Sequence, residues 1–247
     1  MADANDTTID RAIEYIRTLQ PAVLDAIRPC TEAGLTDLET LARTRFSGIH
    51  RAFLRRFGNG VGGLDFGPVD PTAPALREIF EATTGSLPPG YELFAVSRED
   101  PYLDVFLVGQ EPDELQIGTS YSVFGGDFGD LDVAGLTVVS GSLTELLCYM
   151  PYVNTRYEPK PMKFMLSNRQ PVAGAMRKFN QVVEDNGMQL IWFSSAMTRI
   201  VEFGETVLLA KQTVGAPLAV SVASSSKTEF AAVHWWLTRD VGLEAGV

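Results

Sequence analysis

Apolar residues recur three and four positions apart in the first part of the chain and at every second position in its middle. The sequence therefore predicts helices that give way to strands. Ile9, Ile13, Ile16, Leu19, Val23 and Ile27 form one stripe on a helix from about Thr8 to Arg28, kinked near Pro21 and packed on the domain that follows. Thr36, Asp37, Leu38 and Glu39 have the form of a capping box. They predict a second helical stretch with Leu38, Ala42, Phe46, Ile49, Phe53 and Phe57 on one face, broken at Ser47 and Gly48. Its end buries Phe53, Leu54 and Phe57, leaves Arg51, Arg55 and Arg56 in water, and stops at Gly58, Asn59 and Gly60.

A loop over Asp70 to Pro74 and a short helix from Ala75 to Thr84 come next. Beyond Leu87 the period changes: Tyr91 to Val96, Tyr102 to Val108, Leu115 to Tyr121 and Val133 to Val139 read as strands of an antiparallel sheet. Ser142 to Met150 is a closing helix, with Ser142 as N-cap and Glu145 at the capping-box position. Pro159, Pro161 and Pro171 mark residues 154 to 171 as a linker. A second unit over 172 to 247 contains a helix (Val172 to Asp185), a strand (Met188 to Phe193), a hairpin (Arg199 to Phe203 and Thr206 to Lys211, turning at Gly204 and Glu205), a strand (Leu218 to Ala223) and a helix (Lys227 to Arg239).

Charge divides the chain unevenly. Up to Lys160 there are 24 acidic and 12 basic residues, net −12, and the remainder is net +1. From Glu92 to Asp132 ten carboxylates face one base, Arg98. Such a segment repels phosphate and attracts a basic partner, although acidic loops that only solvate a surface would have the same composition.

Catalytic chemistry finds little support. Gly58, Gly60 and Gly63 spell G-x-G-x-x-G, but they follow a helix and lead into Leu64-Asp65-Phe66-Gly67-Pro68, the reverse of what a dinucleotide site requires. His50 and His234 lie in no recognisable motif, and Ser194-Ser195 lacks the glycines of a nucleophile elbow. The loop Gly125 to Asp132 lacks the ligand spacing of an EF-hand. Cys30 and Cys148 make no disulfide framework, and Cys148 reads as a small hydrophobe. Trp192, Trp235 and Trp236 read as core residues. No secretory signal or membrane-spanning run is legible, so a cytoplasmic location is expected.

Arg51-Ala52-Phe53-Leu54, Gly58-Asn59-Gly60, Leu93-Phe94-Ala95, Asp100-Pro101-Tyr102-Leu103-Asp104 and Ser142 to Leu147 together resemble the SUKH superfamily, bacterial immunity proteins related to a fungal cell-wall assembly regulator. The resemblance covers about residues 35 to 152. It departs from the family at Phe46-Ser47-Gly48, where a Leu-Pro pair is usual, and Leu87-Pro88 is the other candidate for that pair. The resemblance implies an α+β fold with helices covering an antiparallel sheet; the N-terminal helix (1–34) ahead of it and the smaller α+β unit behind it are read from the apolar periodicity. The resemblance implies a non-enzymatic cytoplasmic antitoxin without cofactor or metal. Its partner is a cognate protein toxin, basic in charge, a nuclease or another secreted effector, and no membrane or nucleic acid is expected to bind. The candidate partner-binding residues are Asp100, Asp104, Glu111, Asp113, Glu114, Asp127, Asp130 and Asp132. The alternative is a nucleic-acid-associated adaptor. The second unit is weakly similar in element order to a double-stranded-RNA-binding domain, with Ser225-Ser226-Lys227 opening its last helix, but Thr228 and Glu229 stand where that fold gathers bases on phosphate.

Overall fold

The computed structural model describes residues 4–97, 104–108, 114–118, 127–128 and 131–245; for 105, 107, 108, 114, 117 and 118 it describes the backbone alone. The chain forms two compact units, Met1–Pro151 and Tyr152–Val247. Both are α+β with antiparallel sheets.

In the first unit, α1 (Ala4–Leu19) buries Ile9, Ala12, Ile13 and Ile16. It is shorter than the apolar period suggests, because Pro21 cannot donate to the helix ladder and instead opens a 3-10 turn, Pro21–Leu24. Strand β1 (Ile27–Arg28) follows, then α2 (Glu32–Ala42). The expected capping box is not the start of α2. Thr31 is the N-cap, its hydroxyl accepting from the Gly34 N–H at 3.2 Å, while Thr36 lies inside the helix and donates to the Glu32 carbonyl. Burial of Leu35 beside Leu38 and Ala42 favours the extra turn.

The break at Ser47 and Gly48 is present, with Ser47 as N-cap of α3 (Gly48–Phe57). Gly58 ends α3 without a left-handed turn, at φ −61°; the stop comes from the Asn59 N–H bonding the Arg28 carbonyl as β2 (Gly60–Val61) pairs with β1. The three glycines of the dinucleotide-like spacing therefore open no helix. They lead instead to β3 (Val69–Asp70), then to α4 (Ala73–Ala82).

Strands β4 (Tyr91–Ser97), β5 (Asp104–Val108), β6 (Glu114–Gly118) and β7 (Thr137–Ser140) join β3 in a five-stranded antiparallel sheet in the order β3-β4-β5-β6-β7. The expected strand over 133 to 139 begins instead as a 3-10 turn, Val133–Gly135, because the Asp132 carboxylate accepts the Ala134 N–H. Helix α5 (Leu143–Tyr152) follows, its start fixed as the sequence predicts: the Ser142 hydroxyl accepts the Glu145 N–H at 3.1 Å, and Glu145 reaches back to the Gly141 N–H. Phe53, Phe57, Phe66 and Phe94 pack ring on ring in this unit's interior, with centroids 5.0 to 6.5 Å apart.

The expected linker over 154 to 171 is not a linker. It holds β8 (Met162–Ser167), which pairs with both β12 and β13, and the prolines bracket this strand without interrupting it. The second unit thus begins at Tyr152, not at 172. It continues through α6 (Ala175–Asp185), β9 (Gln189–Leu190), β10 (Thr198–Phe203), β11 (Thr206–Lys211), β12 (Ala219–Ser224), α7 (Lys227–Trp236) and β13 (Glu244–Ala245). The six strands run β13-β8-β12-β11-β10-β9. Leu166, Val220, Val222, Leu208, Ala210 and Val201 line one face, against Phe179, Val182 and Val183 of α6 and Val233 of α7. The helix, strands, helix order expected from the sequence holds from α6 to α7, with β8 and β13 added to the sheet.

Candidate interaction surface

Of the eight candidate partner-binding residues, Asp100, Glu111, Asp113 and Asp130 lie outside the described residues, and Glu114 is described by its backbone alone, at the start of β6. Asp127 and Asp132 are exposed. The Asp127 carboxylate lies against Gly85, where a Cβ would collide with Oδ1; Gly85 has φ +75°. Its backbone is held by a bridge to Thr84. Asp132 caps the turn before β7.

Asp104 corrects the expectation. It is fully buried, and its Oδ1 accepts the Ser97 N–H at 3.2 Å, so it ties β5 to β4 and presents nothing to a partner. Its register carried the signal: Asp104 and Phe106 share one face of β5, and Phe106 is fully buried.

Glu92 is likewise an interior carboxylate. Its Oε1 accepts the Ser47 N–H at 2.7 Å, and its Oε2 accepts from the Ser47 hydroxyl at 3.2 Å and from His50 Nδ1 at 2.9 Å. One side chain thus pins the N-terminus of α3 to the sheet. His50 is fully buried between Phe46 and Phe94, with ring centroids at 4.5 and 5.6 Å, and its Nε2 has no partner among the described residues. Ser47 bonds the carboxylate and not Nε2, and the His50 and Glu92 side chains are removed from solvent. The cluster therefore has a serine, a histidine and a glutamate without the proton path of a hydrolase. No sequence motif marks it; Glu92 is the one carboxylate in a strand that is buried from residue 92 to residue 97.

The three arginines of α3, expected in water, are committed within the unit. Arg51 pairs with Glu32 and Glu39 at 2.7 and 2.6 Å, Arg55 with Glu32 and Asp6, and Arg56 with Asp10 at 2.7 Å. They bind α1 and α2 to α3, and the hydrogen bond from Arg55 holds the Glu32 carboxyl below its ordinary value.

Other chemistry-bearing groups offer little. Burial pushes the Cys148 thiol up to about 12 and raises that of Cys30, and both cysteines are free. Among the described residues no group of three His, Cys, Asp or Glu could hold a metal ion, and no helix is long and apolar enough to cross a membrane. The glycine-rich connection from Gly58 to Ala73 closes on itself through the Ala73 N–H and the Gly58 carbonyl. It encloses an open cleft of about 540 Å³ with Arg28, Asn59, Asp65 and Asp70 among its walls. The chain has been compared with protein-family models, with curated proteins and with solved structures, and it matches none of them.

Proposed function

We infer that the chain is an immunity protein of the SUKH type, which neutralises a cognate protein toxin by covering a basic surface with the acidic segment of its first unit. The observation that carries this reading is the distribution of charge. Met1–Pro151 holds 23 acidic and 10 basic residues, net −13, against net +2 for Tyr152–Val247. Three of those ten bases, Arg51, Arg55 and Arg56, are paired with carboxylates of α1 and α2. Of the ten carboxylates between residues 92 and 132, Glu92 and Asp104 are interior. The other eight stand against Arg98 alone in that stretch of sequence. A surface of this kind steers a cationic protein into contact and repels nucleic acid.

The test is co-production with the product of the neighbouring reading frame, which for an immunity protein encodes a secreted effector. The reading requires that the two form a complex and that cells making both survive an effector that arrests growth alone. Continued arrest, or no complex between the purified proteins, overturns it.

A further inference from the structure

In Tyr152–Val247 the strand register sets Ser167, Ala219, Lys211 and Thr198 in one row across β8, β12, β11 and β10. Three connections therefore leave the sheet at the same end: 168–174, 191–197 and 212–218. Parts of all three line an open cleft of about 580 Å³, with Val172, Met197, Gln212 and Val214 in its walls.

The composition of this end differs from that of the rest of the protein. None of the three connections contains Asp or Glu. Arg169, Arg177, Arg199 and Lys211 stand on or beside them, and the one carboxylate in the same row, Glu244 opposite Ser167, is bound to Arg169 at 2.5 Å. Arg177, Arg199 and Lys211 have no ion-pair partner among the described residues, and the buried Nε of Arg199 has no hydrogen-bond partner. Glu184, Asp185, Glu202, Glu205 and Glu229 gather at the opposite end, where α6 stops and β10 turns into β11.

The tips are aliphatic. Val214 is 99% exposed and Val172 40% exposed. A lone exposed valine needs no explanation, but aliphatic tips beside the unpaired Arg177 and Lys211, with the one carboxylate of the row already bound to Arg169, match the boundary layer of an anionic bilayer. There the apolar groups enter between headgroups and the cations meet lipid phosphates. We propose that this end of the second unit docks reversibly on an anionic lipid surface, Val172 and Val214 entering the headgroup layer while Arg177 and Lys211 face the phosphates. The chain as a whole is net −11, but the unit that carries this end is net +2, and at physiological salt charges more than about 8 Å away are largely screened. The absence of a membrane partner expected from the sequence rested on the lack of a spanning run, which does not bear on a surface built from three separated loops.

The test uses the full chain and sedimentation with vesicles, phosphatidylglycerol mixed with phosphatidylcholine against phosphatidylcholine alone. The parent is expected to sediment with the mixed vesicles, less so as salt rises, and not with the neutral ones. Val214→Asp and the double variant Arg177→Glu with Lys211→Glu should each weaken binding by about tenfold or more. All three side chains are exposed, so the variants should keep the parent's melting curve. Equal sedimentation with both kinds of vesicle, none with either, or no loss in the variants overturns the proposal. So does a parent that is dimeric in solution and becomes monomeric on Val214→Asp, which would assign the patch to a second copy of the chain.

Discussion

Glu92 and Asp104 show how far a carboxylate's role depends on its register. Both belong to the most acidic stretch of the chain and both are buried, Glu92 on β4, where every residue from 92 to 97 is buried, and Asp104 on β5, two positions from the buried Phe106. Composition alone made Asp104 a surface candidate, whereas the two-residue period of the strand placed it inside. The pairing of Glu92 with Ser47 and His50 was not legible, since it joins residues more than forty positions apart. Replacing Glu92 with Ala leaves the Ser47 N–H and the His50 imidazole unpartnered in the interior, and should cost about 3 kcal/mol or more. Urea unfolding measures this; a loss below about 1 kcal/mol would mean that water satisfies both groups. The cysteines give a second expectation. With burial holding both thiols in the neutral form, N-ethylmaleimide at pH 8 should label neither Cys30 nor Cys148 until the protein unfolds, and rapid labelling of either in the native state would contradict the packing described.

Among the elements, helices with a long apolar period and strands with short alternation were legible, and the errors fell where two local signals competed. Thr36 has the capping-box form, yet Thr31 caps α2 because Leu35 is worth burying. Prolines suggested a linker around β8, yet Phe164 and Leu166 alternate inward between them and complete the core of the second unit. The glycine stop after α3 was legible as a stop, but its cause was not, because β1 and β2 are short strands more than thirty residues apart. Neither Gly58 nor Gly62 has room for a side chain: at Gly58 a Cβ would stand 2.6 Å from the Cys30 Cβ, and at Gly62, which alone of the two has a positive φ (+66°), it would stand 2.3 Å from the Val23 carbonyl oxygen. Gly62→Ala should therefore destabilise by about 1 to 3 kcal/mol, read as a fall in Tm, whereas Gly67→Ala has open space and pays only for its own positive φ. The Arg55 and Glu32 pair adds a pH dependence of known sign. A lowered carboxyl value contributes stability above the ordinary glutamate range and loses it as pH falls through the lowered value. Glu32 is largely exposed, so this contribution stays under about 1 kcal/mol.

At the scale of the whole molecule, the sequence divides into an acidic part and a near-neutral part, and the structure draws the boundary at Pro151, a few residues from where the charge changes. The α+β class was legible from the change of apolar period along the chain, and not from this division of charge. The grouping of three loops at one end of the second sheet was not, because it depends on strand order. The central claim is that the first unit acts on its toxin through charge, and association kinetics test it most directly. A variant with Asp100, Glu111, Asp113 and Asp130 changed to Lys avoids the interior Glu92 and Asp104 and the turn-capping Asp132, and circular dichroism checks that it folds as the parent does. Stopped-flow mixing with the neighbouring effector should show a parent association rate that falls steeply between low and physiological salt. The variant should associate at least about tenfold more slowly and depend far less on salt. A variant that associates as fast as the parent, with the same salt dependence, would contradict the account.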